Sequence, residues 1–319
     1  MVAAQKTPLM AQSASNKHLY GLDVLRVISA LAVVLFHFAF RGEAAGELPA
    51  IDIPDFVKNI AKYGSLGVSV FFIISGFVIS YSAEGQKPFD FLVSRFSRIY
   101  PTFVIMMSIT AITILISPNP LFQISVMEYV ANLFIFSKFF GEPFVDGAYW
   151  SIVLEVIFYG WIFIIITMGQ FQNIIRIIPF WLGFSFLNEI YIGSTHLQNL
   201  LITEHSGFFA MGIVLHRLRK EFSYYAIVVF LIALACSIYT STAGIAWSEE
   251  AYSVEFSAMA ITAIILSSIV VFLMLTRVKI SQRYWRSLSI LGGSTYALYL
   301  VHQNVGYIAI TRLLDKCHH

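Results

Sequence analysis

An arginine and a histidine stand eleven positions apart in a stretch that is otherwise mostly apolar, LDVLRVISALAVVLFHF from Leu22 to Phe38. At 100° per residue, eleven steps turn through about 1100°, three turns plus roughly 20°, so Arg26 and His37 share one helical face about 16 Å apart. Histidine, with an ordinary pKa of about 6.5, suits the removal of a proton from a hydroxyl near neutral pH. Arginine offers a planar fork of donors that matches phosphate. A structural reading is also open: Arg26 snorkels and pairs with Asp23 one turn away, and His37 is a hydrogen-bonded core residue. The spacing alone does not separate the two.

Further polar residues lie where apolar ones are expected. Ionisable groups near the centre of a span cost about 2.5–3.5 kcal/mol on insertion scales, and they face a protein interior or a wet cavity. Glu155 in YWSIVLEVIFY has no cation in its own helix and needs a partner elsewhere, at a depth near that of His37. Arg95 and Arg98 in RFSRIYP sit one turn apart at a membrane boundary, where Tyr100 and Pro101 are expected to open a span. They read as positive-inside anchors, or, with Arg26, as a phosphate-binding mouth. Asn188, Glu189, Glu204, His205, His302 and Asn304 fall on the opposite side and together predict a polar cavity facing outward. Ser65, Ser69, Gly76 and Ser80 recur at steps of four, seven and four residues and predict a close-packing helix face. No His/Cys/Asp cluster has metal-ligand spacing, so no metal is expected.

The elements that must position these residues are membrane helices. Of the 319 residues 58% are hydrophobic and 12% charged, the latter about half the roughly 25% usual in soluble chains, and the mean hydropathy is +0.77. A disordered chain, a disulfide scaffold and an ordinary soluble enzyme are thereby excluded. The net charge of +2 gives no footprint for nucleic acid, and Cys236 and Cys317 cannot build a metal cluster or disulfide framework. Nine segments are long and apolar enough to span: 20–40, 64–82, 100–117, 148–168, 177–193, 200–216, 224–241, 257–276 and 288–310. The predicted fold is an all-α polytopic membrane bundle, residues 19–319, preceded by a polar, mobile tail over 1–18. Thirteen of the 20 Lys and Arg fall in the loops on one side and six on the other, which predicts a cytoplasmic N-terminus.

Taken in order, the Arg26–His37 element, GVSVFFIISGF at 67–77, RFSRIYP at 95–101, YWSIVLE at 149–155 and STYALYLVH at 294–302 resemble the acyltransferase-3 family of integral-membrane acyltransferases. The resemblance covers about 20–310. It implies O-acyl transfer, commonly of acetyl, from cytoplasmic acyl-CoA to a hydroxyl of a carbohydrate or lipid-linked glycan outside, in a bacterial inner membrane. It implies that His37 is the catalytic base and Glu155 a second catalytic or acceptor-binding residue. Arg26, Arg95 and Arg98 would hold the donor. Glu189, Glu204, His205 and His302 would face the acceptor. Acyl-CoA is then a substrate, and no resident cofactor, metal or nucleic acid is expected. The family usually has ten spans, whereas this chain stops soon after the ninth, so it is expected to lack the last one. The pantetheine arm, on the order of 15–20 Å, compares with the Arg26–His37 rise of about 16 Å. The rival classes are a proton-coupled transporter and a flippase for a lipid-linked substrate, which account for the buried charges but not for the ordered motifs.

Overall fold

The computed structural model describes residues 19–117 and 119–317. The expected tail at 1–18 lies outside the described residues. Among those residues there is no strand, and nine long helices carry the fold. They are α1 (Tyr20–Phe36), α2 (Leu66–Ala83), α3 (Pro88–Leu115), α4 (Trp150–Thr167), α5 (Ile174–Leu187), α6 (Ser206–Lys220), α7 (Tyr224–Ala243), α8 (Ala258–Leu275) and α9 (Trp285–Cys317). Each overlaps one of the nine segments read from the sequence. Seven helical stretches, those containing α1–α5, α7 and α8, are long and apolar enough to cross a membrane. The chain is therefore a multi-pass membrane protein.

The two helices outside that set are instructive. α6 has only 15 residues, but Ser206 to His216 are buried without a break. A helix buried on all sides is a core element, and α6 packs on α2, α5 and α7. α9 has 33 residues, about 50 Å at 1.5 Å each. Its hydropathy is diluted by the residues it turns inward, Thr295, His302 and Gln303 among them.

Contacts run in a closed ring from α1 to α2, α4, α3, α9 and back to α1. α5–α8 form a second layer, joined to the ring through α6 on α2 and α8 on α1 and α2. Glycine permits the tightest crossings. A Cβ on Gly76 would stand 2.2 Å from the Phe209 carbonyl oxygen, and one on Gly212 would stand 2.1 Å from that of Ile73. These two glycines let the backbones of α2 and α6 touch. The face read from Ser65, Ser69, Gly76 and Ser80 is thus real at Gly76. Ser65, however, is exposed, and the approach to α1 is made by Gly64 and Gly67, whose Cβ atoms would lie 2.2 Å from Ala32 O and 2.5 Å from Ser29 O.

α3 begins earlier than expected. Pro88 occupies its first turn, so the helix continues through RFSRIYP and Pro101 lies in its interior. Gly85 (φ +71°) and Pro88 supply the turn and the start, and this stop-and-start signal places Arg95 and Arg98 on the helix itself.

Candidate active site

The five-helix ring encloses a cavity of about 550 Å³, lined by residues of α1, α2, α3, α4 and α9. Arg26, Arg95 and Arg98 all line it. Arg26 donates to Asp23 at 2.8 Å, and Asp23 is itself seated against Gly292, where a Cβ would be 2.5 Å away. Arg95 is 9% exposed. Its Nη2 donates to Ser94 at 2.9 Å and its guanidinium lies 5.7 Å from the Phe91 ring centroid. Its Nε and Nη1 are buried and have no partner. A buried cation with two unmet donors is costly unless an anion completes it.

Glu155 lines the same cavity, where one carboxylate oxygen accepts from Ser75 at 2.9 Å and from the Tyr159 hydroxyl. The sequence places Glu155 at the depth of His37, but the structure does not bring the two together. The polar neighbours of Glu155 are on α2 and α4, within the cavity that holds the arginines.

His37 opens a π turn, His37–Arg41, that continues α1. Such a one-residue widening redirects side chains and recurs at functional sites. His37 Nδ1 lies 3.0 Å from the Tyr307 hydroxyl, and Arg41, held by Glu47, reaches the same hydroxyl at 3.4 Å. The rings of His37 and His302 meet edge-to-face with centroids 4.7 Å apart. His302 in turn packs on Tyr299 at 5.4 Å, and Tyr299 lines the cavity. A chain of ring contacts therefore leads from the arginine cavity through Tyr299 and His302 to His37. The pair assembles because α1 and α9 run parallel in matched register. Tyr20 stacks on Trp285 at 5.1 Å, and Phe38 fits over Gly306, where a Cβ would clash at 2.3 Å.

The loop before α4 anchors the far side of this centre. Asp146 is fully buried and accepts from the backbone N–H of Asn304 and of Ala148, each at 2.9 Å. Asn304 also donates to the Val145 carbonyl at 2.8 Å. Burial pushes the Asp146 carboxyl up to about 6, against the opposing pull of these N–H donors. Asn132 spends its amide on Glu128 O, Pro143 O and the Val145 N–H, which fixes the loop.

The outward polar residues do not form one cavity. Glu204 and His205 line a second cavity of about 230 Å³ with Trp150, Phe144, Lys138 and Gln198. His205 packs on Trp150 at 5.3 Å and on Phe72 at 5.1 Å, and its Nδ1 is buried without a partner. Glu189 accepts from Thr203 near the end of α5 and lines neither cavity. Helix rotation explains the partition. Trp150 and Glu155 are five residues apart, about 140° around α4, so they serve different cavities. Tyr307, Arg41, Tyr299 and Asp146 escape sequence reading because tyrosines and outer-loop charges are common in membrane proteins. The available signal was positional, since Arg41 follows His37 by four residues, one helical turn. Among the described residues no group of His, Cys, Asp and Glu is arranged to hold a metal.

No solved structure matches the chain. Three curated relatives illustrate what it resembles. YrhL of Bacillus subtilis (strain 168), provisionally named a peptidoglycan O-acetyltransferase, is 28% identical over 45% of this chain and 23% of the relative. The acyltransferase MdmB of Streptomyces mycarofaciens is 29% identical over 50% of this chain and 40% of the relative. The peptidoglycan O-acetyltransferase OatA of Listeria monocytogenes is 26% identical over 46% of this chain and 24% of the relative. The chain thus matches between about a quarter and two-fifths of the length of these relatives. One family model, described as an acyltransferase domain, matches from residue 19 to residue 316, and the chain accordingly belongs to the acyltransferase-3 family.

Proposed function

We propose that this protein is a membrane O-acyltransferase that moves an acyl group, acetyl in the first instance, from cytoplasmic acyl-CoA to a hydroxyl of a glycan on the outer side of a bacterial inner membrane. The observation that carries the reading is Arg95, a buried guanidinium with two unpartnered donors whose side chain lines one cavity with Arg26 and Arg98. The CoA phosphates complete these donors, and the N-terminus of α1 lies on the cytoplasmic side. The pantetheine arm then passes Glu155, Ser75 and Tyr159 and delivers the thioester past Tyr299 to the His37–His302 centre. Glu155 in this arrangement faces the donor rather than the acceptor.

The acceptor enters from the opposite side. The second cavity has the composition of a sugar subsite. Trp150 and Phe144 offer faces to the C–H surface of a ring, while Glu204, Gln198 and Lys138 offer hydrogen bonds to hydroxyls. The names of two relatives make a peptidoglycan sugar the first acceptor to test. Within the histidine centre an imidazole takes the hydroxyl proton, a role that the sequence reading gives to His37.

Membranes containing the protein are supplied with acetyl-CoA labelled in the acetyl group, and label in the glycan fraction is counted. Transfer should fall by about 10²–10⁴-fold in His37→Ala while insertion is unchanged. Full activity in that variant would remove the histidine centre from the reaction. Absence of transfer from any acyl-CoA by the inserted wild-type protein would favour a carrier of lipid-linked substrate.

A further inference from the structure

We infer that Tyr81, at the end of the donor cavity farthest from His37, stacks on the adenine ring of acyl-CoA, and so favours a nucleotide-bearing thioester over one carried on phosphopantetheine alone. The inference rests on the acyl-transfer reading for the identity of the donor, and it adds the residue that recognises the nucleotide end.

Residues follow a definite order along the cavity. Gly64 packs on Ala32 and Gly67 on Ser29, so α2 starts beside the histidine end of α1 and runs away from it. In that antiparallel register Asp23, which accepts from Arg26 at 2.8 Å, stands level with about Ile73 of α2. From Ile73 to Tyr81 is a further rise of about 12 Å at 1.5 Å per residue, and Tyr81 still lines the cavity. Starting from Tyr81, the cavity therefore leads to the arginine zone and then to Tyr299, with the histidine centre beyond. Acyl-CoA carries its adenosine, phosphates, pantetheine and thioester in the same order. With the phosphates on the arginines and the pantetheine arm directed toward Tyr299, ribose and base extend the other way, toward Tyr81.

Tyr81 is suited to receive the base. It is 46% exposed although it lines the cavity. A tyrosine of the interfacial belt is exposed too, but toward lipid and headgroups. The Tyr81 ring also has a firm mount. His216 of α6 meets it edge-to-face at 5.9 Å, and His216 is itself buried and set edge-to-face on Phe77 at 5.3 Å. A ring already held in place loses less freedom when a ligand stacks on it. The local charge permits a nucleotide as well. Glu84, three residues on, would repel phosphate, but Lys220 donates to one of its oxygens at 2.6 Å and His216 Nε2 stands 3.7 Å from the other. Arg98, exposed and lining the same cavity, adds positive charge.

Binding to the detergent-solubilised protein is measured with acetyl-CoA and with acetyl-4′-phosphopantetheine, which share the thioester and its arm and differ in the nucleotide. Wild type should prefer acetyl-CoA. In Tyr81→Ala that preference, read as the ratio of the two Kd values, should shrink by about 5–150-fold, the equivalent of one base–aromatic stack. Tyr81→Phe keeps the ring and should retain the preference. A general loosening of the cavity would weaken both probes alike and leave the ratio unmoved, so the ratio separates recognition of the base from a merely structural role. An unchanged ratio in Tyr81→Ala, or as large a loss in Tyr81→Phe, would overturn the assignment. Wild-type protein that binds both probes equally would overturn it while leaving the donor reading intact. Wild-type protein that binds neither would remove the donor reading itself, and the assignment with it.

Discussion

At the scale of single residues, charge that is buried without full compensation marks the donor end of the site. Arg95→Ala removes the unmet donors and should raise the KM for acyl-CoA by about 10–100-fold, the equivalent of about 1.5–3 kcal/mol for a charged hydrogen bond. Arg95→Lys keeps the charge but not the fork, and should recover only part of the loss. Steady-state kinetics against acyl-CoA at fixed acceptor measures both. Asp146 makes a different prediction. Its carboxyl titrates near 6 in the folded protein, against an ordinary aspartate value of 3.8 in the unfolded chain. The native state therefore holds this proton more tightly than the unfolded chain. Stability from this group is present at pH 4, declines as pH rises to about 6, and stays lower above that. The full swing is about 3 kcal/mol. Thermal melts in detergent from pH 7 to pH 5 should show a rise in Tm in the wild type that is smaller in Asp146→Asn. The other residues differ in how legible they were. Arg26, His37, Arg95 and Glu155 stand out because a charge in an apolar run is conspicuous. Tyr307 and Asp146 do not, because nothing local distinguishes a tyrosine that orients a histidine from one that lines a membrane interface.

At the scale of elements, hydropathy and length located all nine helices, and the errors arose where helices start and which way they face. Pro88 rather than Pro101 begins α3 because a first-turn proline has no hydrogen bond to lose. The rotation of α4 could not be read, since it depends on what packs against it, and this is why Trp150 and Glu155 part company. The α2–α6 crossing is the element contact most open to test. Gly212→Val would drive a side chain into the Ile73 carbonyl and the Phe77 N–H, both under 3 Å from the added Cβ. Neither backbone can yield without moving α2, which carries Ser75 into the cavity. The expected result is loss of the monodisperse species in detergent and of transfer together. Gly183→Val, at a position with nothing within 4 Å, should leave both intact.

For the whole molecule, the proposed orientation has a test in its two cysteines. Cys317 is exposed at the end of α9 and Cys236 is half-buried within α7. In intact cells a membrane-impermeant maleimide should label Cys317. Labelling seen only after permeabilisation would place α9, and with it the arginine end, the other way round. The partition into a five-helix ring with a cavity and an outer layer of four helices also sets expectations for engineering. Substitutions on the lipid-facing sides of α7 and α8 should be nearly neutral, whereas those facing the ring should not.

The parallel pairing of α1 with α9 bears on how the protein is made. His37 and Tyr307 touch although 270 residues separate them, and at a synthesis rate of roughly 5–20 residues per second the first waits on the order of a quarter to nearly a full minute for the second. During that interval α1 stands in the bilayer with a polar face and no α9 to cover it. The nascent chain therefore depends on whatever shelters an inserted but unpartnered helix, and the yield of active protein should respond to the supply of membrane insertase more than to the intrinsic stability of any one helix.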